Sequence, residues 1–168
     1  NSRLNRALKE QSETLEHVIF AGFTHPKAVE LAKQLVEMTC KRLTKVFFSD
    51  NGSTAVEVAL KMAYQYFYQT GRPQKRKFVA FKNSYHGDTL GAVSVGGVDL
   101  YHKIYKPLLF EIFQAQNPNC YRCPKGLEKQ SCNCECICFV EEIFKSHRDE
   151  IAGIIIEPLI QGAGGMVM

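Results

Sequence analysis

Three short apolar runs that do not alternate with polar residues constrain this chain more than any other feature. They are Val46-Phe47-Phe48 within Lys45–Ser49, Phe78 to Phe81, and Ile151 to Ile156 (IAGIII). Each is short, rich in β-branched or aromatic residues, and lacks the alternation of a strand with one wet face, so each reads as a strand buried on both faces. Segments with helical spacing lie between and around them. Ser2 to His17 carries Leu4, Leu8 and Leu15 among charges, and Pro26 opens a helix with Ala28, Leu31, Ala32, Leu35 and Val36 on one face. The clearest helix places Val56, Ala59, Leu60, Ala63, Tyr64 and Phe67 along one stripe, with Glu57 and Lys61 as an i,i+4 pair, and ends at Gly71 and Pro73. Phe139 to Glu150 is a further helix, Leu100 to Tyr105 a helical turn, and Thr89 to Val95 either a short strand or a helix start. Buried strands alternating with helices predict an α/β fold with a mostly parallel sheet covered on both faces.

Composition adds bounds. The 168 residues are 45% hydrophobic and 23% charged, as in an ordinary globular protein. No apolar run approaches the ~20 residues that cross a bilayer, and the first twenty residues are a charged helical pattern, not a signal peptide. Net charge is only +4, and the basic run Arg72, Lys75, Arg76, Lys77 reads as a solvated connection before a strand, not a nucleic-acid patch. The reading is therefore no membrane, no nucleic acid, and a cytoplasmic location. The start inside a helix pattern without an initiator Met, and the end in a glycine-rich loop, are read as marks of a piece of a longer polypeptide.

Three polar sites follow the three runs. Asp50-Asn51-Gly52-Ser53 opens the clearest helix, where unpaired N–H groups and the helix dipole favour an anion. A phosphate bound at Gly52 and Ser53 is one reading, and an ordinary N-cap by Asn51 or Ser53 is the other. Neither a P-loop nor a dinucleotide GxGxxG is present. Tyr85-His86-Gly87 follows the second run, where a ring can stack on a planar ligand, worth on the order of 1 kcal/mol beyond burial, or simply pack. Glu157 ends the third run and either faces a ligand or caps the glycine-rich turn. Open parallel sheets bind ligands at this edge.

Cysteines are the odd feature: Cys120, Cys123, Cys132, Cys134, Cys136 and Cys138 fall in one stretch, within a loop or insertion at about 117–138. A metal knuckle, a redox-sensitive loop and reduced thiols are all open readings. In an extended strand the last four would point to one side. Reduced thiols without bound metal are the reading adopted, since nothing marks the chain for an oxidising compartment.

The blocks GFTHPKAVELAKQL, VFFSDNGSTAVEVALKMAYQYF, FKNSYHGDTLGAVSVGG and IIIEPLIQGAGGM resemble the class III aminotransferases over most of the chain, with the cysteine-rich stretch the loosest part. The resemblance implies part of the large domain of the type I pyridoxal-phosphate (PLP) fold across residues 1–168, with PLP as cofactor. Gly52 and Ser53 match the family's phosphate-binding turn. Asn51 departs from its usual Ser, and Asn's tolerance of left-handed backbone is expected to preserve the turn. Tyr85 matches the aromatic that stacks on the cofactor ring and touches the keto substrate. His86 is a supporting candidate, Glu157 matches the glutamate beside the cofactor, and Thr24 and His25 carry no assigned role. Within the class, the blocks are most similar to the branch that moves an amine from S-adenosylmethionine to 8-amino-7-oxononanoate in biotin synthesis. Class III enzymes acting on ornithine, 4-aminobutyrate or other amines are the alternative, and a cysteine-centred interaction module a more distant one. The family's cofactor-bearing lysine and its aspartate partner lie downstream of the glutamate motif, past Met168. Lys61 and Lys82 do not match that lysine, so no catalytic residue is assigned and the chain alone is expected to be inactive. The family's active sites form at a homodimer interface, which implies a homodimer for the whole protein.

Overall fold

The computed structural model describes residues 1–128 and 130–168. They form two compact units, Asn1–Phe48 and Ser49–Met168. The first contains α1 (Ser2–Ser12) and α2 (Pro26–Met38). Asn1 caps α1 through its side chain, and Pro26 occupies the first turn of α2, where its missing N–H costs nothing. The first helix is shorter than the pattern to His17 predicted. Of the five-residue face predicted for α2, only Ala28 is buried, while Leu31 and Leu35 are exposed. Residues 46–48 are unpaired, and Phe47 is exposed. The predicted first strand is therefore not one here: a strand requires a neighbour for its N–H and C=O groups, and none pairs with it among the described residues.

The second unit begins with α3 (Gly52–Gln69) and β1 (Lys77–Phe81), followed by α4 (Leu90–Ser94) and α5 (Asp99–His102). Then come β2 (Phe113–Ala115), α6 (Cys138–His147), β3 (Ile151–Ile154) and a small hairpin of β4 (Ile160–Gln161) and β5 (Met166–Val167). The main sheet has the order β2-β1-β3 and is parallel throughout. β1 is central, so its side chains are enclosed from both faces. Phe78 and Ala80 pack with Leu60 of α3 and with Val95, while Val79 and Phe81 pack with Ala115, Ile151 and the α6 residues Val140, Ile143 and Phe144. Burying a side chain such as Val79 or Phe78 contributes on the order of 1.5–3 kcal/mol. This is the predicted α/β architecture, with helices on both faces of a parallel sheet.

Several elements differ from their sequence patterns for local reasons. Within residues 89–95, Leu90–Ser94 resolve as a helix, and the Glu57 carboxylate accepts from Gly91 N (2.6 Å) and Ala92 N (3.3 Å) at its start. Glu57 therefore caps α4, and no ion pair with Lys61 is present among the described residues. β3 ends at Ile154, two residues short of the apolar run. The basic run ties the sheet's N-terminal edge together. Lys77 bridges Glu150 (3.1 Å) and Glu111 (3.5 Å), which raises its pKa, chiefly through the bond to Glu150. Lys75 Nζ donates to the carbonyls of Arg148 and Ile151. No helix among the described residues is long and apolar enough to cross a membrane.

Candidate functional site

At the opposite, C-terminal edge, the chain leaving β1 meets the segment leaving β3 and the start of α3. The start of α3 is set by Asn51, whose side chain accepts from Thr54 N (3.0 Å) while Thr54 Oγ1 accepts from Asn51 N (3.1 Å). This reciprocal capping box fixes the first turn. Asn51 has φ −158°, so it is extended, and the left-handed tolerance expected of it is not needed. The cap uses the Thr54 N–H. Those of Gly52 and Ser53 have no protein acceptor among the described residues and point out of the positive end of an 18-residue helix. Of the two sequence readings of this turn, the N-cap holds at Asn51, while Gly52 and Ser53 keep backbone donors without a protein acceptor among the described residues.

Ser53 is joined to the loop after β1. Its Oγ accepts from Asp88 N at 3.2 Å, which leaves the hydroxyl's own proton free. Gly87 has φ +128°, and a Cβ there would overlap the Ser53 side chain, so only glycine permits this approach. Tyr85 is partly buried. Its hydroxyl donates to Asp88 Oδ2 at 2.6 Å, and that bond is the main cause of a raised phenol pKa, with partial burial second. The Tyr85 ring meets Tyr101 edge to face, with centroids 6.5 Å apart. His86 is half-buried with Nε2 unpartnered, and burial lowers its pKa against the opposing charge of Glu157.

Glu157 completes the cluster. One oxygen accepts from Tyr85 N (2.9 Å) and the other from Gly162 N (2.8 Å). It thus does cap the glycine-rich turn and also grips the Tyr85 loop. Ser53, Asp88, Tyr85 and Glu157 accordingly fall in one hydrogen-bonded network, with Gly52 and His86 beside it only as sequence neighbours of Ser53 and Tyr85. Three residues at this edge escaped the sequence reading. Asp88 and Gln161 lie inside quoted blocks but had no role, and Asn117, the buried partner of Gln161, had no local signal at all. His25 lies in the other unit, stacked on Phe20 at 5.6 Å with Nδ1 buried and unpartnered.

The cysteine-rich stretch does not extend as a strand. Cys134 has φ +62°, residues 135–137 form a single 3-10 turn, and Cys138 begins α6, so the expected one-sided row of thiols is broken by backbone curvature. All seven cysteines are free thiols. Among the described residues no three His, Cys, Asp or Glu side chains gather as a metal site. Cys132 donates to Glu135 at 3.1 Å, which raises its thiol pKa, and burial raises that of Cys136.

The chain is 54% identical over 166 residues to the adenosylmethionine-8-amino-7-oxononanoate aminotransferase of Geobacter sulfurreducens, a match covering 98% of this chain and 37% of that protein. The crystal structure of the Methanocaldococcus jannaschii protein of the same name superposes with a TM-score of 0.87 at 38% identity, covering 99% of this chain and 35% of that one. An amine transaminase from an uncultivated Pseudomonas species, solved in a PLP-bound form, gives 0.89 at 37% identity, covering 100% and 38%. The chain thus spans little more than a third of the proteins it matches. The aminotransferase class-III family model matches residues 1–168 without remainder, and the chain belongs to that family.

Proposed function

We propose that residues 1–168 form part of the cofactor-binding large domain of a PLP-dependent aminotransferase, with a cysteine-rich insertion at about 117–138. In the whole protein the reaction is transfer of an amine from S-adenosylmethionine to the 7-keto group of 8-amino-7-oxononanoate. The observation that carries this is the joining of three strand-edge and helix-edge groups by two hydrogen bonds, Asp88 N to Ser53 Oγ and Tyr85 N to Glu157 Oε2. The 54% identity to a protein bearing that reaction's name supports the substrate assignment. A cytoplasmic homodimer is the setting proposed for the whole protein.

The residues fit a phosphorylated aromatic aldehyde. Free N–H groups of Gly52 and Ser53, with the Ser53 hydroxyl proton, would hold the phosphate at the helix's positive end. Tyr85 would lie along the ring and touch the keto substrate, with Asp88 fixing its tilt through the hydroxyl. The raised pKa keeps that phenol protonated. Glu157 holds the Tyr85 loop and the Gly162 turn at a set separation, and His86, kept neutral by burial, backs the loop. PLP when bound supplies the electron sink that amine exchange needs.

The test uses the full-length protein. PLP is expected to bind with a visible absorbance band, and S-adenosylmethionine with 8-amino-7-oxononanoate to yield 7,8-diaminononanoate. Ser53→Ala is expected to weaken PLP binding roughly tenfold, the scale of one hydrogen bond to a charged group. Absence of any bound PLP refutes the reading. Product from ornithine or 4-aminobutyrate alone keeps the cofactor site but moves the substrate to the amine transaminases, a reading the Pseudomonas structure's comparable identity keeps in view.

A further inference from the structure

Two buried side chains of the second unit are amides: Gln161 and Asn117, each 1% exposed. An amide is costly to bury unless its donors and acceptor are paired. Here they pair with each other and with the backbone. Gln161 Nε2 donates to Lys82 O at 2.9 Å, and Gln161 Oε1 accepts from Asn117 Nδ2 at 3.1 Å. Asn117 Oδ1 accepts in turn from Gln116 Nε2 at 3.2 Å.

The position of this chain of bonds gives it meaning. Lys82 is the first residue past β1, Asn117 lies two past β2, and Gln161 belongs to the hairpin that follows β3. The last backbone bond between β1 and β2 runs from Lys82 N to Ala115 O at 2.9 Å. Beyond it the amides take over, holding three chain segments together where sheet pairing has stopped. The Tyr85 loop is held at its root by Gln161 on Lys82 O, beside the Asn83 N–Gly97 O and Gly97 N–Ser84 O bonds, and at its tip by Glu157 on Tyr85 N and Ser53 Oγ on Asp88 N. Two of these anchors, Gln161 and Glu157, sit on the same short stretch, 157–162. With Gln161 released, the stretch 157–162 would hold this loop only through Glu157.

We propose that Gln161, held by Asn117, is a positioning residue that sets where Tyr85 and Glu157 stand relative to each other in the cofactor site. The proposal rests on the PLP reading for its consequence, though not for its geometry, and two arms separate them. In the full-length apoprotein, Gln161→Met removes both bonds at nearly constant volume. Hydrogen exchange over residues 82–88 and 157–166 is expected to rise about tenfold, the effect of losing one buried hydrogen bond, with α3 and α6 unchanged. A uniform rise across the protein, or none, overturns the proposal.

The second variant, Gln161→Glu, keeps an oxygen for Asn117 but turns an oxygen toward Lys82 O in place of the donor. PLP affinity, followed by fluorescence titration, is expected to fall roughly tenfold near about pH 8 and to recover toward about pH 5.5 as the introduced carboxyl protonates and donates again. Loss without recovery marks a merely structural residue and overturns the proposal. Local exchange in the first variant together with a wild-type protein that holds no PLP upholds the amide lock, and it is then the cofactor reading that fails.

Discussion

Both oxygens of Glu157 are occupied by backbone N–H donors, one from the Tyr85 loop and one from Gly162. The side chain is therefore a bracket between two loops. Glu157→Gln would turn an NH2 toward one of those donors and leave it unpaired, a cost of about 1–3 kcal/mol. The expected readout is a lower urea midpoint for the full-length protein; an unchanged midpoint would show the bracket to be dispensable. His86 makes a different prediction. Burial lowers its pKa below 6.5 in the folded chain, so the folded state binds fewer protons than the unfolded state between the two values. Its contribution is complete above 6.5 and declines as pH falls from there through the folded pKa. His102, also lowered by burial, acts in the same sense. The thermal midpoint of the full-length protein should fall on acidification below about pH 6.5, and His86→Asn should flatten that slope. A slope identical to wild type would count against buried, neutral His86.

At the scale of elements, α4 depends on a residue from another helix. It has five residues, too few to persist alone, and its N-cap Thr89 makes no side-chain cap bond. Glu57 of α3 supplies the missing acceptors. Glu57→Ala should cost about 1–2 kcal/mol, the range for a lost helix cap, read by chemical denaturation, whereas Lys61→Ala should cost far less because its expected partner faces α4. The same contrast shows what the sequence could reveal. β1 and α3 were legible because their patterns are local: a four-residue apolar run, and a stripe at helical spacing closed by Gly71. Residues 46–48 carry an equally good strand pattern, but a pattern cannot supply the neighbouring strand. In the site, Gly52, Ser53, Tyr85 and Glu157 stood out as strand-end or helix-start residues inside quoted motifs. Asn117 and Gln161 did not, since their partnership spans 44 residues and polar residues in loops ordinarily face water.

For the molecule as a whole, the apolar surface is the conspicuous quantity. Leu31, Leu35, Met38, Phe47, Leu100 and Ile104 are all exposed, more than solitary surface residues warrant. A polypeptide limited to residues 1–168 should bind a hydrophobic dye such as ANS strongly and sediment as large species, while the full-length protein should do neither. Equal dye binding by the two would mean that this surface stays open in the complete protein.

The central place of β1 also has a consequence in time. Lys77 pairs with Ile151, so one side of this strand stays open until the ribosome has added roughly seventy further residues, about 4–15 s at ~5–20 residues per second. Throughout that interval the nascent chain displays Lys-Phe-Val-Ala-Phe, a β-prone stretch with a single charge. The feature that later shields the sheet's middle thus makes it, during synthesis, a natural handhold for chaperones and a place where premature pairing between neighbouring nascent chains would begin.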